Sequence, residues 1–145
     1  MFRILSDIEV VLNELVVACR ESVDLYEDAI KRIDGSAEAA RLRNIVARRK
    51  LLLGKLTTAI RELGDLPSMP DPDKEAGEMI IEHLGASLSE NDTGYIIAHR
   101  IKAEKHIQTL IDNAKDIEME ESHRSLLQQL SAHIAETIQQ LSAPA

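Results

Sequence analysis

The sequence predicts an all-α protein: an antiparallel four-helix bundle with a short extra helix between the second and third long helices. Three observations carry this. Aliphatic residues recur at steps of three and four along most of the chain, the spacing that lines one face of a helix. Aromatic residues are scarce, with no Trp, one Phe and two Tyr, while Leu, Ile, Ala, Glu, Lys and Arg abound. Glycine, serine and proline gather into a few short breaks between the periodic stretches. At 145 residues the chain is long enough to bury one core without disulfides or metal staples.

The first long helix is expected over 2–33. Ile4, Ile8, Val11, Leu15, Ala18, Ser22, Leu25 and Ala29 form one stripe, and Leu5, Leu12, Val16, Cys19, Val23, Tyr26 and Ile30 lie beside it. Two adjacent stripes make a face wide enough to touch two neighbours. Asp34-Gly35-Ser36 ends this helix, with Gly35 suited to a C-terminus and Ser36 to the next N-cap. The second helix is expected over 37–63, closing at Gly64, and the short turn makes the pair an antiparallel hairpin. Pro67, Pro70 and Pro72 exclude a helix interior just beyond. A short helix is expected over 74–88, within a crossover spanning 64–91. Two more long helices follow over 92–114 and 118–141, the third capped by Ser89 or Asn91, the fourth opened by the acidic run Glu118–Glu121. If the 64–91 segment carries the chain from one end to the other, the second and third long helices run parallel. If it folds locally, the bundle is plain up-down. The length favours the crossover.

A net charge of −8 opposes a general role in binding nucleic acid or anionic membranes. Cys19 is the lone cysteine, so no internal disulfide forms, and Asp7, Glu9 and Glu14 interrupt the apolar run that a signal peptide needs. A cytoplasmic protein is expected.

Several short motifs add a resemblance. Leu12-Asn13-Glu14-Leu15, Ala18-Cys19-Arg20, Tyr26 and Ala29, then Glu62-Leu63-Gly64 before Pro67, then Ala103-Glu104, together resemble a family of small, uncharacterised bacterial ferritin-like bundle proteins, a domain-of-unknown-function family. The likeness spans roughly residues 10–140 as an order of elements. It implies a ferritin-like four-helix bundle, bacterial and cytoplasmic, and no established activity. One departure is Arg48-Arg49-Lys50, where acidic residues are expected in the middle of the second helix.

Ferritin-like enzymes hold two metal ions with one inward Glu from each of two helices and a Glu-x-x-His pair from each of the others. At 100° per residue, Glu9, Glu14, Glu21, Asp24 and Glu27 fall at the edge or outside of the first helix. The inner line of the second reads Leu42, Arg49, Leu56 and Ile60. Only Glu104 turns inward on the third. His123 and His133 are the nearest candidates on the fourth, and His133-x-x-Glu136 reverses the required order. Arg49 would repel two adjacent divalent ions. No cofactor is therefore expected; an atypical iron, manganese or zinc site at Glu104, His123 and His133 is the alternative.

Arg49 itself needs a partner, since a buried unpaired guanidinium is strongly disfavoured. The expected partner is Glu104, with Arg100 joining and the Tyr26 and Ser22 hydroxyls taking up remaining groups. The bland alternative lets Arg49 run its stem along the seam and reach water. Ala98-His99-Arg100-Ile101-Lys102-Ala103 resembles a histidine phosphotransfer motif, with His99 pointing outward and Lys102 beside it, although Ala103 stands where a glycine is usual. Cys19 reads as a small core residue. His123 reads as a satisfied core histidine. The reading is a non-catalytic bundle acting through self- or partner association, expected as a homodimer, since Ile80, Ile81 and Leu84 add apolar surface beyond one core.

Overall fold

The computed structural model describes residues 6–88 and 91–143. Among these it contains five helices and no strand: α1 Asp7–Arg32, α2 Ala37–Glu62, α3 Pro72–Leu88, α4 Asp92–Asn113 and α5 Glu121–Ser142. No helix among the described residues is long and apolar enough to cross a membrane.

Side-chain caps set most helix ends. Ser6 accepts the Glu9 amide at 3.3 Å and starts α1, so the expected start at residue 2 lies outside the described residues. Ser36 accepts the Ala39 amide at 3.0 Å and starts α2. Gly35 and Gly64 hold φ of 83° and 85°, a left-handed turn that only glycine enters readily. At Gly64 the amides of Gly64 and Asp65 bond back to Arg61 and Ile60, closing the last turn of α2 in a Schellman pattern.

Two boundaries differ from expectation. α3 begins at Pro72 instead of residue 74, because a proline in the first helical position lacks only an amide that would have no partner there. α5 begins at Glu121 instead of 118. Residues 114–117 turn the chain, with carbonyls at Lys115 and Ile117 accepting from Arg124, and only Glu121 of the acidic run enters the helix. Asn91 caps α4 through the Gly94 amide at 2.9 Å; Ser89, the other expected cap, lies outside the described residues.

The core has two apolar halves. One gathers Leu12, Leu15 and Val16 of α1 with Leu56 and Ile60 of α2, Ile107 and Ile111 of α4, and Leu126 and Leu130 of α5. The other gathers Val23, Tyr26 and Ala29 with Leu42 and Ile45, Ile96 and Leu141. The amino-terminal half of α1 thus meets the carboxy-terminal halves of α2 and α4. It follows that α1 and α5 run one way and α2 and α4 the other. α1 packs on α2 and α4, and α5 packs on the same two. The segment after α2 therefore does carry the chain to the opposite end of the bundle.

That segment returns along α1. Asn13 bonds Asp65 and Ser68, and Arg20 donates to the Ser68 carbonyl at 2.7 Å. α3 then lies outside the bundle, over the part of the α1–α4 groove beside the carboxy-terminal half of α1. Ala86 enters the second apolar half, and the other attachments are polar: Lys74 to Glu21 at 3.4 Å, His83 to Asp28 at 2.5 Å, and Ser87 to Arg32 at 3.0 Å. A side chain at Gly85 would collide with the Tyr95 ring, so the missing Cβ lets α3 and α4 approach closely.

Candidate functional site

Between the two apolar halves lies a layer of buried polar side chains. Arg49 of α2 is at its centre and, like Glu104 of α4, has a fully buried side chain. Three diverging N–H groups of Arg49 find three acceptors: Nη2 donates to Glu104 Oε2 at 2.6 Å, Nη1 to Ser22 Oγ at 2.6 Å, and Nε to His133 Nε2 at 3.0 Å. Tyr26 donates its hydroxyl to the second Glu104 oxygen at 2.5 Å. Ser22 in turn donates its hydroxyl to the Cys19 carbonyl at 3.0 Å. This is the pattern that a rigid guanidinium fork serves and an ammonium does not.

Burial opposes charge on Arg49, but the Glu104 charge and hydrogen bond outweigh it and hold its pKa above the ordinary value. Burial and the Glu104 charge push the Tyr26 hydroxyl well up, so it remains a donor. Burial, and then the charges of Arg49 and Arg48, lower His133 to about 4, which leaves its ring neutral and able to accept from Arg49. Burial raises the Cys19 thiol to about 11, leaving it unreactive.

The structure thus brings Arg49, Glu104, Tyr26 and Ser22 together, and Arg49 does not reach water. Arg100 is close but not bonded to Glu104. Its guanidinium lies 5.7 Å from the Tyr26 ring centre, with that of Arg49 at 5.8 Å. Its anionic partner is Glu82 of α3, through Nε at 3.3 Å. Glu82 and His133 are the two members that sequence reasoning did not assign. His133 sits at the flank of the apolar line, where the helical angle gives no sign of a partner. On α3, nothing in the spacing of Ile80, Ile81 and Leu84 marks Glu82 as buried; the one hint is that an inward Arg100 needs an acid.

The donor set does not suit a pair of metal ions. Both Glu104 oxygens and the acceptor nitrogen of His133 are taken up by Tyr26 and Arg49. His123 is buried within α5 with Nδ1 unpartnered, which corrects its reading as a satisfied histidine. Among the described residues no three His, Cys, Asp or Glu side chains converge as ligands. Glu9, expected at the edge, is buried and accepts from the Ser6 hydroxyl.

His99 is also placed differently from its outward angular reading. α3 lies against it, its Nδ1 is 3.2 Å from Glu82 Oε1, and its ring stacks on Tyr95 at 6.2 Å. Lys102 remains exposed. Beyond the edge of α3, the α1–α4 groove opens into a cleft of about 1070 Å³ lined by both aliphatic and charged side chains. Compared with protein-family models, with curated proteins and with solved structures, the chain matches none of them.

Proposed function

We propose that this chain is a non-catalytic, ferritin-like helical bundle of the cytoplasm that acts by association with a second copy of itself, as a homodimer. The observation carrying this reading is the orientation of α3. Ile80, Ile81 and Leu84 are 66%, 62% and 59% exposed, while Glu82 between them is 1% exposed. Such a helix turns its apolar stripe to water and its acid to the core, the reverse of an ordinary surface helix. Covering a Leu or Ile side chain contributes roughly 1.5–3 kcal/mol, enough for a few of them to hold an interface together. Two copies of α3 laid antiparallel about a two-fold axis present the same stripe to each other, which makes the surface self-complementary.

The ferritin-like assignment is supported by the parallel course of α2 and α4 and the crossover joining them. The non-catalytic reading is supported by the layer around Arg49, whose acceptors are occupied by one another. Sedimentation equilibrium tests association. The wild-type chain is expected to be dimeric, and Ile80→Glu with Leu84→Glu monomeric with unchanged helicity. A monomeric wild-type chain at its highest soluble concentration overturns the reading.

A further inference from the structure

We propose that the cleft between α1 and α4 binds a monocarboxylate with an aliphatic tail, its head group taken by Arg100. The cleft measures about 1070 Å³, just above the usual range for small-molecule sites, about 300–1,000 Å³. Its walls include Val17 of α1 and Ile107 and Leu110 of α4, which suit a hydrocarbon chain. Arg100 and His99 lie at the end that α3 closes, and Ile81 of α3 reaches the same end.

Arg100 is built differently from Arg49. Each of the three guanidinium nitrogens of Arg49 has a partner, whereas Arg100 holds Glu82 through one long bond at 3.3 Å from Nε. Its Nη2 meets only the His99 ring nitrogen at 3.2 Å, and its buried Nη1 has no partner. The outer edge of this guanidinium, Nη1 with Nη2, is the edge that pairs with a carboxylate through two parallel bonds. Nη1 is closed off from water, and the two bonds that hold the guanidinium, to Glu82 at 3.3 Å and His99 at 3.2 Å, are long enough to permit the small swing that brings Nη1 to a ligand. The mouth of the cleft carries both signs, with Lys102 and Lys105 on α4 facing Glu14 and Glu21 on α1. Selection for an anion therefore falls on the buried arginine. An aliphatic tail without a head group leaves Nη1 unpaired, and a head group without a tail leaves the walls uncovered.

Calorimetric titration with dodecanoate, dodecanol and butyrate, below the micellar concentration, separates these contributions. Dodecanoate is expected to bind at least tenfold more tightly than either of the others. Ala103→Phe, which fills the cleft from its wall, is expected to abolish binding while circular dichroism remains that of the wild type. Arg100→Gln is expected to remove the preference for dodecanoate over dodecanol. Ile80 and Leu84, unlike Ile81, do not line the cleft, so Ile80→Glu with Leu84→Glu is expected to bind dodecanoate as the wild type does. Equal binding of acid and alcohol, no binding of either, or binding that survives Ala103→Phe but is lost with the α3 variant overturns the proposal.

Discussion

A guanidinium with no exposed surface is stable only if its charge and all its donor directions are answered, and at Arg49 the answers come from three other helices. Replacing one partner therefore matters more than replacing the set. Glu104→Gln keeps the shape but leaves Arg49 charged and buried, and is expected to lower unfolding free energy by about 3–5 kcal/mol in urea denaturation. Arg49→Leu combined with Glu104→Leu is expected to recover most of the loss caused by Glu104→Leu alone, because no unpaired charge remains. The need of Arg49 for an acid was legible in the sequence, since a cation on an apolar line admits few solutions. Its bond to His133 was not, because helical angles give a side chain's direction but not the rotation of the facing helix. That bond has a pH signature. His133 titrates near 4 when folded and near 6.5 otherwise, so between these values the unfolded chain binds the extra proton. Its contribution is complete above about pH 6.5 and is lost as pH falls towards 4, no more steeply than about 1.4 kcal/mol per pH unit. His133→Gln retains an acceptor for Arg49 but has no proton to gain. Its melting temperature is expected to fall less than that of the wild type between pH 7 and pH 4.5.

At the scale of the elements, the legible features were those fixed within one turn of helix. Ser36 and Asn91 cap where their side chains reach the next free amide, and Gly35 and Gly64 mark the two left-handed turns. What could not be read was the facing of α3, because its apolar stripe obeys the same period whether it points inward or out. The polar contacts decide the matter, and one of them is unfavourable. Glu75 of α3 sits beside Asp24, Glu21 and Glu78. Partial burial, a hydrogen bond with Asp24 and these acidic neighbours together raise its pKa from 4.5 to about 7. Here the native state binds the extra proton, so stability is greatest below about pH 4.5 and declines as pH rises towards 7, opposite in sign to His133. Glu75→Gln removes the charge and keeps a donor for Asp24. It is expected to melt above the wild type at pH 8, with the difference shrinking towards pH 5.

For the molecule as a whole, the polar layer joins what would otherwise be two small apolar cores, and it is completed from outside the four-helix bundle. Within the layer, the positive groups Arg49 and Arg100 face Glu104 and Glu82, and the last of these belongs to α3. α3 is thus held less by apolar burial than by its carboxylate, and the bundle in turn depends on α3 to neutralise Arg100. A helix attached mainly by polar contacts, with Ala86 in the core but Ile80, Ile81 and Leu84 in water, opens at lower free energy than the helices that supply most of the core. Native-state hydrogen exchange is expected to show α3 amides exchanging through local opening, while core amides of α1, α2, α4 and α5 wait for global unfolding. Glu82→Gln takes away the anion that draws α3 inward and leaves Arg100 without a counter-charge. Protection in α3 is then expected to drop towards that of an open segment, with a smaller loss in the bundle. Ile80→Glu, on the other side of the same helix, is expected to leave both unchanged in the monomer. Equal protection across all five helices would mean that α3 is part of one cooperative core, and that the pairing of Glu82 with Arg100 does not control its docking.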